Sequence, residues 1–160
     1  MSRPNALHPQ TTWLFAFGAV AVGIGVGFLT RSMSPKISAA IYAGIVGLAG
    51  FGSMYLTRAR LRDAVLAFFV AAAACAVLYY FVVSSVVGGA TQVMGDAVSG
   101  GQAHEQAKQA GTFFGRFFGI FAAAVAFLET LIGGIVGAIA GNKYRAQSQS
   151  GGPALARASR

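Results

Sequence analysis

The sequence of residues 111–141 is GTFFGRFFGIFAAAVAFLETLIGGIVGAIAG, and on a helix its small and large residues separate onto opposite sides. At about 100° per residue, one side carries small residues, among them Gly111, Gly115, Gly119, Ala122, Ala126, Gly133, Gly137 and Gly141. The other side carries Phe114, Phe117, Phe121, Val125, Leu128, Ile132, Ile135 and Ile139. Water gives a helix no reason to sort its residues by size, whereas in lipid close backbone approach along small residues drives helix association. The stretch therefore predicts a membrane helix with a glycine-zipper face that packs against another helix.

The composition places the chain among integral membrane proteins. Hydrophobic residues make up 56% of it, charged residues only 10%, and the mean hydropathy is +0.64, whereas soluble domains are about 25% charged. Since about 20 apolar residues cross the hydrocarbon, the uncharged stretches predict four spans, at about 12–30, 37–57, 64–87 and 113–141. We therefore expect an all-α, polytopic membrane protein, a four-transmembrane-helix bundle with glycine-rich packing faces.

Three segments lie outside the predicted spans. Residues 1–11 form an N-terminal tail, and residues 142–160 predict a disordered, basic C-terminal tail, because a Ser/Gly/Ala-rich sequence cannot bury a core. Residues 88–111 predict a polar extramembrane loop, turn-like over 88–101 and helical over 102–110. The first span is expected to be retained rather than cleaved as a signal peptide, since its apolar part is longer than the roughly 7 to 15 residues of a signal sequence.

Small residues recur at helical spacing in the first two spans as well. The connection between these spans, RSMSPK, is only six residues long, so the two helices are expected to form an antiparallel hairpin and to pack on each other. We predict that ten glycines mediate helix packing in the whole chain: Gly23, Gly27, Gly44, Gly47, Gly111, Gly115, Gly119, Gly133, Gly137 and Gly141.

The net charge of +8 does not indicate a nucleic-acid partner, because the basic residues lie at segment ends and no nucleic-acid-binding motif accompanies them. Eight basic residues fall on one side of the predicted topology and four on the other, so the positive-inside rule places both termini in the cytoplasm. Five of the eight are candidates for lipid headgroup contacts: Arg58, Arg60, Arg62, Lys143 and Arg145. For the turn around residues 58–62 the alternative is a topology determinant and nothing more.

Glu129 is the one charged side chain well inside a predicted span, 13 residues after Arg116 and 14 before Lys143. A carboxylate at that depth costs about 2.5 to 3.5 kcal/mol on insertion scales, so an intramembrane acid indicates a functional site by default. Three roles remain open for it: a structural hydrogen bond at a helix contact, a proton or cation site, and a contact to a basic residue of another chain.

The GIGVG motif at Gly23, Gly25 and Gly27, together with the mid-membrane acid in FLETLIGGIVGAIA, resembles the proteolipid c subunits of rotary ATPases. In that family glycine-rich helices line an inner ring and a carboxylate on an outer helix carries the ion, so the resemblance implies that Glu129 is an ion carrier. The chain departs from the family in three ways. The second span has no carboxylate, the third has no glycine repeat, and the polar loop lacks the Arg-Gln/Asn-Pro pattern.

The sequence does not predict an enzyme, a cofactor or a metal site. The two histidines, His8 and His104, are expected on opposite sides of the membrane, and Cys75 is expected to be a small core residue. We expect a non-enzymatic membrane protein that associates through its small-residue helix faces, as a homo-oligomer or as a subunit of a larger assembly. Its partners would be the lipid bilayer and other transmembrane helices. The alternative is a small channel, a holin-like pore or a proton- or cation-translocating protein that uses Glu129.

Overall fold

A computed structural model describes residues 10–30, 34–57, 59–99 and 104–150 of the chain. Its four α-helices are α1 (Thr11–Leu29), α2 (Pro35–Leu56), α3 (Leu61–Ser99) and α4 (His104–Ser150). No β-strand occurs in these four ranges, so the all-α prediction is confirmed for the described part of the chain. Most of the predicted N-terminal tail, the end of the C-terminal tail and Arg58 lie outside the described residues.

Three of the helices are long and apolar enough to cross a membrane: Lys36–Leu56, Leu61–Val98 and His104–Ser148. The first helix contributes a shorter apolar stretch, Thr11–Gly27. The structure therefore supports a multi-pass membrane protein with three candidate spans, while the fourth span and the cytoplasmic placement of the termini stay predictions. Helices α3 and α4, with 39 and 47 residues, are about twice as long as the roughly 20 residues that a crossing needs.

The predicted loop over residues 88–111 is helical in its described part, because α3 continues to Ser99 and α4 begins at His104. The prediction of a turn over 88–101 is wrong for residues 88–99, which are helical. Gly88 and Gly95 lie against α4 and do not bend the chain. The helix expected over residues 102–110 is present from His104 onwards. These glycines allow two helices to approach each other closely. A prediction that assigns every glycine-rich stretch to a turn does not consider this role.

The predicted disordered tail is also helical over residues 142–150, which extend α4. Two side chains of this extension contact α2: the Tyr144 ring meets the Phe51 ring edge-on, with centroids 6.0 Å apart, and Arg145 donates hydrogen bonds to α2 carbonyls. The polar composition of the tail does not indicate these tertiary contacts, which hold its first residues against α2.

Contacts group the chain into two compact units, Met1–Ala71 with Glu129–Arg160, and Ala72–Leu128. In the first unit α1 and α2 pack as the predicted antiparallel hairpin. The Thr30 and Ser38 hydroxyls lie 3.2 Å apart near one end of the hairpin, and the Thr12 and Thr57 hydroxyls lie 3.4 Å apart near the other. The buried residues of this unit are mostly small, and its largest fully buried side chains are Phe68, Met54 and Val46.

Candidate functional site

A buried pair of hydroxyl groups joins α2 to α4 in the first unit. Tyr42 Oη and Thr130 Oγ1 lie 2.7 Å apart, and Thr130 is fully buried, with 0% of its surface exposed. The Tyr42 ring also covers Gly23 of α1, where a Cβ would lie 2.6 Å from the ring. A hydroxyl in an apolar interior has to find a hydrogen-bond partner, so this pair fixes the depth at which α4 lies against α2.

Glu129 precedes Thr130 near the middle of α4 and is partly buried. Its carboxylate makes no hydrogen bond or ion pair with any other residue in the described ranges. Lys143 is 14 residues further along, about 21 Å at 1.5 Å per residue, and cannot reach it. The structure thus presents Glu129 as an uncompensated acid beside a satisfied hydroxyl pair.

The glycines in the second half of α4 meet the backbone of α2. A Cβ on Gly137 or Gly141 would overlap the carbonyl oxygen of Gly47 or Phe51, respectively. A Cβ on Gly133 would lie 3.3 Å from the Ala43 carbonyl oxygen. Because residue numbers rise together on both helices, α2 and α4 run parallel, and the small face of residues 133–141 is occupied by α2 of the same chain.

In the second unit, the glycines in the first half of α4 meet α3. A Cβ on Gly111 would lie 2.6 Å from the Gln92 Cγ atom, and a Cβ on Gly115 would lie 2.5 Å from the Ser84 carbonyl oxygen. At Gly119 the nearest atoms, on Ser84 and Tyr80, would be 3.1 Å away. Here the numbers run in opposite directions, so the two helices are antiparallel.

For other glycines, an added Cβ would meet open space in the described part of the chain. A Cβ on Gly27 or Gly44, both predicted to mediate packing, would meet nothing within 4 Å, and the same holds for Gly18, Gly25 and Gly89. The chain therefore carries two sets of glycines. One set is packed by helices of the same chain, and the other, the open glycines, leaves open space where a Cβ would lie: Gly18, Gly25, Gly27, Gly44 and Gly89.

The basic residues predicted to contact headgroups have different surroundings. Arg145 donates hydrogen bonds to the Thr57 carbonyl at 2.9 Å and the Met54 carbonyl at 3.2 Å. These carbonyls lie at the C-terminal end of α2, so the guanidinium caps that helix and complements its dipole. Arg62 pairs with the neighbouring Asp63 at 3.5 Å, and Arg60 and Lys143 are exposed. Their contact with lipid stays a prediction.

Sequence reasoning missed several contacts within the first unit. Gly134 packs on the Phe68 ring and on Gly50, and Arg145 acts within the protein. Tyr42 was the one detectable signal, since a phenol deep inside an apolar span needs a partner. To identify Thr130 as the hydrogen-bond partner of Tyr42, one must know the register between α2 and α4. The residue pattern of a single span does not contain that register.

Other chemical groups do not converge on a site. His104 Nδ1 lies 3.0 Å from both carboxylate oxygens of Asp96, on the surface of the second unit, and Cys75 is buried. Within the described part of the chain no three His, Cys, Asp or Glu side chains are placed to hold a metal ion.

No protein-family model, no curated protein and no solved structure matches the chain.

Proposed function

We propose that the protein is a non-enzymatic integral membrane protein that associates with other transmembrane helices through small-residue helix faces, as a homo-oligomer or as a subunit of a larger membrane assembly. The observation that carries this proposal is the set of open glycines on α1 and α2. A glycine inside a helix costs about 1 kcal/mol relative to alanine. A glycine with open space at the position of its Cβ gains no packing from the described residues in return, whereas a second helix can approach it closely.

The packed glycines support the proposal by showing what such faces do in this chain. Wherever Gly133, Gly137 and Gly141 are covered, a neighbouring backbone lies within contact distance. The same residue type remains uncovered at Gly25 and Gly44. Since α4 uses its own small face on α2 and α3, the surface for association lies on α1 and α2.

The test is to substitute the open glycines and to measure the assembly state of the full chain in nanodiscs by native mass spectrometry. We expect Gly25→Leu and Gly44→Leu to reduce the oligomer, or the complex with foreign subunits, because the added side chain keeps a second helix away. Val82→Leu, at a position on α3 that is 58% exposed and outside the proposed association surface, is the matched control for added bulk. An unchanged assembly state in both glycine variants would refute the proposal.

A second candidate function rests on Glu129, the carboxylate without a partner in the described residues. Buried acids in membrane helices mark ion pathways and proton relays, so a channel, a holin-like pore or a proton- or cation-translocating protein would use this residue. A membrane-permeant carbodiimide should label Glu129, and Glu129→Gln should abolish ion flux in liposomes. Glu105→Gln, in the first turn of α4, is the control. Equal flux in Glu129→Gln and the parent would exclude this function.

A further inference from the structure

An open groove of about 390 Å³ runs between α3 and α4 in the second unit. Ser85, Gly89 and Gln92 line it from α3, and Thr112 and Arg116 line it from α4. Tyr80 and Phe81 contribute aromatic rings to its lining. The groove thus combines an apolar wall with a small cluster of polar groups.

Three groups in the groove are hydrogen-bond donors that the described part of the chain does not use: the Arg116 guanidinium, the Ser85 hydroxyl and the Gln92 amide. The Thr112 hydroxyl differs, because it donates to the Lys108 carbonyl at 2.9 Å and can only accept a further bond. Unused donors around a guanidinium match a ligand that is rich in acceptor oxygens and negatively charged. Phosphate has this chemistry, and arginine recognises it with paired N–H groups.

The charges near the groove favour an anion. Lys108 lies two helical turns before Arg116 on the same side of α4, and both residues line an adjoining hollow on that helix. Glu105, the acid on this face, is 11 residues from Arg116, about 16 Å along the helix. Asp96 is engaged by His104 at 3.0 Å. An arginine without a counter-ion in an apolar helix is costly, and a bound phosphate would remove that cost.

The surroundings of the groove indicate the source of the phosphate. Phe81 lines the groove, Phe113 lines the adjoining hollow, and Phe117 follows Arg116 in the chain. Each of these rings is at least 60% exposed, and both helices are apolar enough to cross a membrane. Acyl chains can cover these rings, while an arginine side chain extends to the phosphate layer. Basic pockets between membrane helices bind lipid headgroups in this way.

We propose that this groove binds the phosphate group of a phospholipid, with Arg116 holding the phosphate oxygens and Ser85 and Gln92 donating further hydrogen bonds. The site does not depend on association through the open glycines of α1 and α2, so it goes beyond the function proposed above.

The test is a titration of the full-length protein in detergent with phosphatidylglycerol, with bound lipid measured by native mass spectrometry. Arg116→Gln removes the guanidinium group that would hold the phosphate. We expect lipid binding to become about tenfold weaker or more, as for a lost charge-assisted hydrogen bond. Gly89→Leu keeps the charge and fills the groove, and since a Cβ at Gly89 meets nothing within 4 Å, it should leave the helix contacts intact. It should weaken binding to a similar extent.

Two controls match these variants. Lys36→Gln removes one exposed charge at the start of α2, a residue with no predicted headgroup contact, and Ala90→Leu adds bulk at an exposed α3 residue beside the groove; both should bind lipid like the parent. Circular dichroism checks folding, and if Arg116→Gln does not fold, Gly89→Leu still decides. Parental affinity in Gly89→Leu would overturn the groove as the site. Displacement of the lipid by excess inorganic phosphate would overturn the lipid as its source and assign the site to free phosphate.

Discussion

Gly137 of α4 lies directly against the carbonyl group of Gly47 in α2, at a distance that leaves no room for a Cβ atom on Gly137. Helices α2 and α4 therefore touch through their backbones along one face. In lipid, where apolar surface burial gives little driving force between helices, such contacts supply van der Waals packing. Added bulk on this face, or the loss of a hydrogen bond beside it, should therefore lower the stability of the first unit.

Gly137→Ala should destabilise the first unit by about 1 to 3 kcal/mol, the usual cost of overpacking. The added methyl group would overlap the Gly47 carbonyl, which belongs to backbone and cannot rotate away. Unfolding in mixed micelles, followed by circular dichroism, measures the change. Gly44→Ala is the control, because its methyl group meets nothing within 4 Å; it should be neutral or stabilising by up to about 1 kcal/mol through helix propensity. Equal effects of the two variants would contradict the prediction.

Substitutions along the first half of α4 should show a graded response. A Cβ on Gly115 would lie 2.5 Å from the Ser84 carbonyl oxygen, whereas at Gly119 the nearest atoms are 3.1 Å away. Gly115→Ala should therefore separate α3 from α4 more than Gly119→Ala does. Hydrogen exchange of the amides in residues 80–92 should be faster in Gly115→Ala than in Gly119→Ala. Faster exchange in Gly119→Ala would show that the antiparallel register is different.

Tyr42→Phe should cost about 0.6 kcal/mol and no more than about 1.7 kcal/mol, the average and the maximum for side-chain hydrogen bonds between membrane helices. It removes the 2.7 Å contact to Thr130 and leaves the ring over Gly23 in place. A double-mutant cycle with Thr130→Val isolates the pairwise energy. Tyr55→Phe is the control, since Tyr55 is 45% exposed and makes no hydrogen bond within the described residues. A coupling energy of zero would show that the two hydroxyls do not interact.

Arg145→Met should destabilise the C-terminal end of α2 by about 1.5 to 3 kcal/mol, the range for hydrogen bonds that involve a charged group. The variant keeps a long apolar side chain but loses the donors to the Met54 and Thr57 carbonyls. Amides of residues 53–57 should exchange faster in the variant. Lys143→Met, at an exposed position two residues away, should change stability by no more than about 0.5 kcal/mol.

Much of the fold follows from local pattern. Uncharged stretches place α1 and α2 within two residues of the helices that the structure describes, at Thr11–Leu29 and Pro35–Leu56. The six-residue connection requires an antiparallel hairpin, because it is too short for any other arrangement. These features depend on local composition and on the length of a short connection. Both can be obtained directly from a single sequence.

The ends of α3 and α4 could not be obtained in this way. Polar and glycine-rich composition predicted a loop and a tail where the helices continue to Ser99 and Ser150. Whether Gly95 bends a chain or admits a neighbour depends on Ala107, which lies on another helix and whose Cβ is 2.6 Å from the position of an added methyl group. Arg145 likewise suits a headgroup by its sequence position but binds carbonyls of α2.

The sequence by itself determined that the chain is helical, apolar and sorted by residue size, because lipid selects for these properties one helix at a time. Only the tertiary structure decided against which glycines the chain's own helices pack and which glycines remain open. That distinction depends on the register between helices, which is set by backbone contacts such as Gly137 with Gly47 and by the Tyr42 to Thr130 hydrogen bond. Such contacts join residues about 90 positions apart, and the spacing within one helix carries no record of them.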